Sequence, residues 1–254
     1  MKTPRPSITA FFPAYNDGGT IGSLVVTTLK TLAEISDDYE VIVIENGSTD
    51  YTVEVLEELA RENEHFRFLS FREALGYGGA VRLGFAEARK ELVFYTDGDA
   101  QYDPRELKLL LPQMTDDVDI VNGWKIDRSD PLHRIIIGRV YHNIVKLLFG
   151  FKLRDVDCDF RLIRREVFDV IDLESDSGTL PLELVKKLQD AGFRFAEVPV
   201  HHYHRSYGKS QFFNFPRLWR TGIQLIQLWW KLVVRREHMR RISARRREGA
   251  TVRR

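Results

Sequence analysis

The chain lacks three features that would each point to a particular class of protein. It contains a single cysteine, Cys158, which excludes an internal disulfide or a zinc site of several cysteines and fits a reducing, cytoplasmic location. No stretch reaches the roughly 18 uninterrupted apolar residues that a membrane-spanning helix needs. The N-terminal residues contain no long apolar segment, so we expect no secretory signal.

The chain also has little net charge, but that charge is unevenly distributed. The 254 residues carry +1 overall, whereas residues 231–254 contain ten Lys or Arg and two Glu, a local charge of +8. The rest of the chain therefore carries −7, which argues against a nucleic-acid-binding protein. A basic segment on an acidic body indicates an anionic surface, such as a membrane, as its partner.

The apolar pattern predicts an α/β fold. Apolar and β-branched runs, expected to be strands, alternate with segments of helical periodicity. The predicted strands are 7–12, 40–44, 66–71, 91–96, 118–121 and 193–200. The predicted helices are 20–32, 50–61, 79–89, 104–114, 132–149 and 180–191. This alternation predicts a mostly parallel sheet with helices on both faces.

Polar or glycine-rich clusters follow each of the first four predicted strands. They occupy residues 13–17, 45–50, 76–80 and 97–101. Because ligands of an open parallel sheet bind beyond the carboxyl ends of its strands, we expect all four at one ligand-binding edge. The third cluster, with three glycines, lacks the spacing of a known phosphate loop. It is either a simple strand-to-helix connection or a loop that brings backbone amides near a diphosphate.

The fourth cluster is typical of a metal site. Asp97 and Asp99 are one residue apart after a predicted buried strand, and Gln101 supplies a carbonyl oxygen two residues later. These oxygen ligands suit Mg²⁺ or Mn²⁺, which usually share their coordination with substrate phosphates. A surface turn uses the same residue types, but three further clusters at the same edge favour the metal site.

In this order and spacing, the clusters resemble the family 2 glycosyltransferases with the GT-A fold. Within that family, the chain is similar to the dolichol-phosphate mannosyltransferase and polyprenyl-phosphate sugar transferase group. The matching motifs are Pro13-x-Tyr15-Asn16-Asp17, Glu45-Asn46-Gly47-Ser48-Thr49-Asp50, Asp97-x-Asp99-x-Gln101, Asp155 with Cys158-Asp159-Phe160-Arg161, and Arg205-x-x-Gly208-x-Ser210. The resemblance covers residues 7–213.

The resemblance implies a role for each matching position. The nucleotide-sugar donor would be held by Pro13, Tyr15, Asp17, Glu45, Asp97 and Arg205. The metal ligands would be Asp99, Gln101 and Asp97. The catalytic set would be Asp97, Asp99, Lys125 and Arg134, with the two basic residues and Arg205 facing phosphates. Three positions depart from the family pattern: Glu45-Asn46 replaces an acidic pair, Gly138 stands where a serine is expected, and Cys158-Asp159 replaces Ser-Gly.

The implied activity is that of an inverting, metal-dependent hexosyltransferase. It would move a mannose- or glucose-like sugar from GDP-mannose or a UDP-sugar to a polyprenyl or dolichyl phosphate. This acceptor is already largely ionised at neutral pH, because a phosphate monoester has a second pKa of about 6, and it needs no protein base. One alternative is a family 2 transferase to a sugar hydroxyl in cell-wall or exopolysaccharide synthesis, with Asp157 or Asp159 as base. Another is a membrane-recruited nucleotide-sugar-binding protein without catalysis.

The C-terminal part has the composition of a membrane-surface element. Residues 212–241 mix Trp and aliphatic residues with Arg, which predicts an amphipathic helix in the membrane interface, followed by a basic, disordered tail at 242–254. We therefore expect a glycosyltransferase domain at 1–211 and a peripheral location on the cytoplasmic face of the membrane. Residues 132–149 are a candidate second interfacial helix. The alternative is that the C-terminal helix packs on the sheet or on a second copy of the chain.

Overall fold

The computed structural model describes residues 5–128, 142–207 and 215–252. The strands are β1 (Ile8–Ala14), β2 (Tyr39–Glu45), β3 (Phe66–Ser70), β4 (Leu92–Thr96), β5 (Ile120–Arg128), β6 (Phe160–Arg164) and β7 (Phe195–His202). The helices are α1 (Ile21–Ile35), α2 (Thr52–Glu62), α3 (Tyr77–Glu87), α4 (Leu107–Leu110), α5 (142–149), α6 (Leu180–Asp190), α7 (Phe215–Trp229) and α8 (Glu237–Val252).

The strands form one sheet in the order β3-β2-β1-β4-β6-β5-β7. The β1–β2, β1–β4, β2–β3 and β5–β7 pairs are parallel, whereas β6 runs antiparallel to both of its neighbours. The predicted mostly parallel α/β fold is therefore confirmed. Parallel pairing places the carboxyl ends of β1, β2 and β4 at the same edge of the sheet, where polar clusters were expected.

Helices cover both faces of the sheet, which explains why the strand sequences are apolar without alternation. In β1, Ala10 and Phe12 pack into a core cluster with Leu24 of α1 and Leu107 of α4. The intervening Phe11 points to the other face, into a cluster that contains residues of α3 and α6. Because successive side chains of a strand point to opposite faces, each strand contributes to both cores.

Strand β6 is not among the predicted strands. It has only five residues, two of them arginines, and it pairs with β4 from Leu92↔Arg164 to Thr96↔Phe160. Its Arg161 is 1% exposed. A buried arginine in a short strand breaks the apolar pattern by which strands are recognised, so tertiary pairing, rather than local sequence, determines this element.

The C-terminal region differs from the sequence expectation. Helix α7 continues as a π-helical turn over Trp230–Arg235, and Arg236 adopts a left-handed conformation (φ 53°) that separates it from α8. Part of the segment expected to be disordered is helical in α8, because Ile242 packs into the core and the buried His238 pairs with Asp190 (Nε2–Oδ2 2.7 Å). The division of the chain at 211 and 241 stays a prediction.

Parts of two predicted helices lie outside the described residues. These are 132–141 of the segment 132–149, and 212–214 of the segment 212–241. Helix α5 (142–149) is the described end of the first, and it packs on α7 through Val145 and Phe149. No helix in the described ranges has both the length and the apolar character needed to cross a membrane.

Helix α3 packs closely on Phe11 of strand β1 at Gly84. A Cβ atom at Gly84 would overlap the ring of Phe11, whereas one at Gly222, in α7, would meet nothing within 4 Å. We expect Gly84→Ala to lower the free energy of unfolding by about 1–3 kcal/mol through overpacking. Gly222→Ala should raise it by up to about 1 kcal/mol through helix propensity. Urea unfolding of both variants checks this, and equal stabilisation by the two would show that α3 does not pack on Phe11.

Candidate active site

The loops after β1, β2 and β4 meet at one edge of the sheet. The backbone N–H of Gly98 donates to the carbonyl of Pro13 (3.2 Å), and that of Asn46 donates to the carbonyl of Ala14 (2.9 Å). A Cβ atom at Gly98 would lie 2.5 Å from the Pro13 carbonyl oxygen, so this approach requires glycine. Three of the polar clusters found in the sequence are therefore neighbours in space.

Asn16 holds the first two clusters together. It adopts a left-handed conformation (φ 55°), its backbone N–H donates to Ser48 Oγ (2.9 Å), and its side-chain oxygen accepts from the N–H of Thr49 (2.7 Å). Beside it, the side chain of Tyr15 is 41% exposed. An exposed aromatic ring next to a rigid polar turn is suited to stacking on a planar ligand such as a nucleobase.

Both carboxylate oxygens of Glu45 accept hydrogen bonds from within the protein. Its side chain is buried, with Oε1 accepting from the N–H of Ser48 (2.5 Å) and Oε2 from Ser70 Oγ (2.6 Å). These bonds fix the turn that faces Asn16. Pro13 is likewise buried at the end of β1 and offers its backbone to the site. Direct contact of Glu45 or Pro13 with a nucleoside stays a prediction.

Asp17, Asp99 and Arg205 form a charged cluster. The Arg205 NH2 atom lies 3.0 Å from Asp99 Oδ2 and 3.7 Å from Asp17 Oδ1. Burial raises the pKa of Asp17 to about 6, against the opposing effects of the Tyr15 N–H and the Arg205 charge. Burial also raises the pKa of Asp99, again opposed by Arg205. At both carboxylates, the effect of burial on the pKa therefore outweighs the opposing effect of the Arg205 charge.

Asp97 lies next to a pair of tyrosines that the sequence did not indicate. The Tyr77 hydroxyl donates to Asp97 Oδ1 (2.8 Å), contacts Tyr95 Oη, and lies 3.2 Å from Asp159 Oδ2. Burial raises the pKa of Asp97 well above its usual range, and the charges of Asp159 and Asp99 add to this. The only sequence signal for Tyr77 was its position within the glycine-rich third cluster.

Asp159 and Arg161 form a buried pair behind these tyrosines. Arg161 donates from Nε to Asn122 Oδ1 (2.7 Å) and from NH2 to the carbonyl of Val156 (2.6 Å). Its NH1 atom lies 3.5 Å from Asp159 Oδ1. Asp159, which departs from the family pattern, thus supplies a counter-charge to a buried guanidinium.

The remaining predicted site residues are placed as follows. Gln101 follows Ala100, which is left-handed (φ 56°), and donates its amide to the Tyr203 carbonyl (3.0 Å). Its oxygen Oε1 is thus the atom that can bind a metal. Lys125, in β5, donates from Nζ to the carbonyl of Asp157 (2.8 Å). Arg134 lies outside the described residues, as do Gly138, Gly208 and Ser210.

The glycine-rich third cluster packs against protein backbone. The N–H of Gly78 donates to the Asp176 carbonyl (3.1 Å), and a Cβ atom there would lie 2.5 Å from the Ser175 carbonyl oxygen. A Cβ atom at Gly76 would likewise collide with the Asp176 carbonyl. Of the two interpretations left open, these contacts favour the strand-to-helix connection over a loop whose amides approach a diphosphate.

A second group of potential metal ligands lies beside Lys125. His142, Asp155 and Asp157 each offer one ligand atom, and these atoms lie within 4.8 Å of one another. The Asp155 carboxylate already accepts from the backbone N–H of Lys125 (3.3 Å) and of Asp157 (3.2 Å). Nδ1 of His142 is 3.7 Å from Asp157 Oδ2, so the histidine and this carboxylate form an ion pair when the histidine is protonated.

Comparison with known proteins decides the family. The model of glycosyl transferase family 2 matches residues 9–172, well over half of the chain. The chain belongs to glycosyl transferase family 2. It is 33% identical over 245 residues to the glycosyltransferase AglD of Haloferax volcanii, covering 93% of this chain and 39% of that protein. The chain thus spans about two fifths of the length of that relative.

Solved structures confirm the GT-A type of fold for this family member. Mannosyl-3-phosphoglycerate synthase from Rubrobacter xylanophilus superposes with a TM-score of 0.68 at 17% identity, covering 96% of this chain and 75% of that chain. Glucosyl-3-phosphoglycerate synthase from Mycobacterium tuberculosis gives a TM-score of 0.66 at 19% identity, covering 89% of this chain and 79% of that chain. At these identities the likeness concerns the fold.

Proposed function

We propose that this family 2 glycosyltransferase is an inverting, metal-dependent hexosyltransferase that moves a sugar from a nucleotide-sugar to a lipid phosphate at a membrane surface. The observation that carries the proposal is the pairing of Asp17 and Asp99 with Arg205 at the carboxyl edge of the sheet, with Asp97 close enough to interact with both carboxylates. Carboxylates for a hard cation and a guanidinium for a diphosphate are the groups that a nucleotide-sugar donor requires.

The residues present fit a divalent metal ion. The carboxylates of Asp97 and Asp99 are half-buried and follow the same strand, and burial raises the pKa of each. A bound cation would offset the cost of burying these two carboxylates in their ionised form. Gln101 Oε1 adds a neutral oxygen ligand. When bound, Mg²⁺ or Mn²⁺ would neutralise charge that develops on the departing diphosphate. The mycobacterial structural neighbour was crystallised with Mn²⁺ and uridine diphosphate, which supports this donor chemistry.

In the proposed reaction, an acceptor oxygen attacks the anomeric carbon of the donor sugar. A new carbon–oxygen bond forms as the bond to the nucleoside diphosphate breaks on the opposite face, so the anomeric configuration inverts. Arg205 would bind the diphosphate, and Tyr15 and Asp17 the nucleoside side. Lys125 and Arg134 would bind the acceptor phosphate and reduce its repulsion from the donor. Among the described residues, Lys125 donates one ammonium N–H, to the Asp157 carbonyl, which leaves two for a ligand.

A membrane-surface location is supported by exposed apolar side chains on α7 and the turn that follows it. Trp219, Ile223, Ile226, Trp230 and Val234 are all exposed, with Trp219 at 72% and Ile226 at 66%. Their spacing of three or four residues places them on one helix face. Helix α5, which packs on α7, also exposes apolar side chains, with Leu147 at 84%. Such a face next to exposed arginines suits shallow insertion into an anionic membrane surface.

The second candidate is transfer to a sugar hydroxyl, which needs a protein base. It is favoured by the pairing of His142 with Asp157 beside Lys125 (Nδ1–Oδ2 3.7 Å), because a carboxylate–histidine pair can accept a hydroxyl proton. A binding protein without catalysis is disfavoured because Asp97, Asp99 and Gln101 are all present and gathered at the sheet edge.

Replacing Asp99 tests the metal-dependent donor site. We expect Asp99→Asn to reduce transfer by at least about 100-fold, because it removes a charge that binds the metal beside the diphosphate. The measurement is transfer of radiolabelled sugar from GDP-mannose and from UDP-glucose with Mn²⁺. Asp103→Asn, at the same strand end but paired with Arg105, is the matched control and should stay within about threefold. Full activity of Asp99→Asn, or of the wild type in excess chelator, would contradict the proposal.

A choice of acceptors tests the lipid phosphate. With polyprenyl phosphate and free polyprenol offered side by side, we expect transfer to the phosphate alone, because the alcohol lacks a charged nucleophile and a ligand for Lys125. Lys125→Gln should weaken this transfer, whereas Asp157→Asn should leave it within about threefold. If neither lipid is glycosylated, and an added oligosaccharide acceptor receives the sugar in a reaction that Asp157→Asn abolishes, the second candidate is established instead.

Co-sedimentation with liposomes tests the membrane surface. We expect the double variant Trp219→Ser, Ile226→Ser to lose most binding to vesicles of anionic phospholipid, because both exposed side chains would no longer insert. Leu109→Ser, at a similarly exposed apolar position on α4, should bind as the wild type does. Raising salt from about 0.1 M to 1 M shortens the Debye length from about 10 Å to 3 Å and should release part of the wild type. Equal binding by both variants would indicate that this face covers another protein surface.

A further inference from the structure

Arg205 occupies a position between carboxylates from two different strand ends. Its NH2 atom lies 3.0 Å from Asp99 Oδ2, in the loop after β4, and 3.7 Å from Asp17 Oδ1, in the loop after β1. The three side chains are largely buried, with 24% of the Arg205 side chain exposed and 12% of that of Asp99. Within the described part of the chain, the Arg205 guanidinium is therefore a cation that these two carboxylates share.

The contact with Arg205 involves the Asp99 oxygen that accepts no hydrogen bond from the backbone of its own turn. Asp99 Oδ1 accepts from the backbone N–H of Gln101 (3.1 Å), which fixes the carboxylate on its own turn. The other oxygen, Oδ2, is the atom that Arg205 contacts. A divalent ion on Oδ2 and a guanidinium in hydrogen-bond contact with the same oxygen would bring like charges together in a half-buried site.

The hydrogen-bonding capacity of the Arg205 guanidinium is not fully used in this position. Its Nε atom is buried and finds no hydrogen-bond partner among the described residues. A guanidinium usually forms paired N–H bonds with a carboxylate or phosphate, and this one uses a single nitrogen for its close contact. Moving to a diphosphate, with more acceptor oxygens than Asp99 offers here, would let more of its N–H groups find partners.

We infer that Arg205 and the divalent metal ion compete for Asp99. A bound metal displaces the guanidinium from this carboxylate, and the displaced guanidinium then pairs with the nucleoside diphosphate. This inference rests on the proposed metal site. Its consequence is cooperative binding: the metal alone binds weakly because it must break the Asp99–Arg205 pair, and the nucleotide strengthens metal binding because it holds the displaced arginine. The same exchange makes Arg205 a specificity element that disfavours metal binding without the donor.

The simpler alternative is that Arg205 only binds phosphate, and Mn²⁺ binding without nucleotide distinguishes the two. Free Mn²⁺ is counted by electron paramagnetic resonance in titrations of wild type and Arg205→Gln. If Arg205 competes, the variant binds Mn²⁺ alone roughly tenfold more tightly, and the strengthening by UDP or GDP shrinks by a similar factor, as linkage requires. If Arg205 only binds phosphate, the affinity for Mn²⁺ alone does not change and only nucleotide binding weakens.

A matched charge control separates contact from long-range electrostatics. Arg105→Gln removes a positive charge from the loop after β4, but its guanidinium pairs with Asp103 rather than with Asp17 or Asp99. This variant should bind Mn²⁺ as the wild type does. The tightening in Arg205→Gln should also persist at 0.5 M salt, because a largely buried contact is screened much less than separated surface charges. Thermal unfolding monitored by circular dichroism checks that each variant is folded.

The outcomes separate this inference from the proposed function. If Asp99→Asn abolishes Mn²⁺ binding but Arg205→Gln leaves the affinity for Mn²⁺ alone within twofold, the metal site stands and the competition is refuted. Equal tightening by Arg105→Gln and Arg205→Gln also refutes it. If the wild type binds no Mn²⁺ even with UDP or GDP, the proposed metal site fails and the inference falls with it.

Discussion

The site depends on how one sheet edge accommodates several carboxylates within a short distance. Asp17, Asp97, Asp99 and Asp159 interact electrostatically, and burial raises the pKa of each. Two strand pairings create this density: the parallel pairing of β1 with β4 brings Asp17 beside Asp97 and Asp99, and the antiparallel pairing of Thr96 with Phe160 brings Asp159, which precedes β6, to the same edge. Bound cations, either the protein's own arginines or a metal, are what make such a site stable at neutral pH.

The C-terminal helices connect to this edge through a second network of charges. Lys231 and Arg241 pair with Glu174, and the buried Glu183 accepts from the backbone N–H groups of Glu174 (3.1 Å) and Ser175 (2.8 Å). The segment they hold in place packs on the glycines around Tyr77. Part of the basic charge of residues 231–254 is thus neutralised by ion pairs within the protein. The proposed membrane attachment would therefore rely more on the exposed apolar side chains of α7 than the local charge of +8 suggests.

Sequence reasoning could predict what depends on local pattern. Apolar runs with flanking turns predicted the six strands β1 to β5 and β7, and the polar clusters after the first four predicted strands led us to expect their loops at one edge of the sheet. It missed β6, since a five-residue strand containing the buried Arg161 is defined by its neighbours. It left the role of the glycine-rich third cluster open, because glycine serves close approach to a ligand and to a backbone equally. The hydroxyl contacts of Tyr77 join it to residues 18, 20 and 82 positions away, beyond the reach of any local pattern.

The surroundings of Asp159 bear on the choice of acceptor. A general base needs a carboxylate oxygen that can reach the acceptor hydroxyl, but Asp159 Oδ2 lies 3.2 Å from the Tyr77 hydroxyl and Oδ1 faces Arg161 at 3.5 Å. Removing this carboxylate would leave a buried guanidinium short of counter-charge, so its presence is explained by Arg161 without any role as a base. Of the carboxylates that depart from or flank the family motif, Asp157 with His142 is then the stronger candidate base. Because that pair lies beside Lys125, the same part of the candidate site offers a cation that suits a phosphate and a carboxylate–histidine pair that suits a hydroxyl.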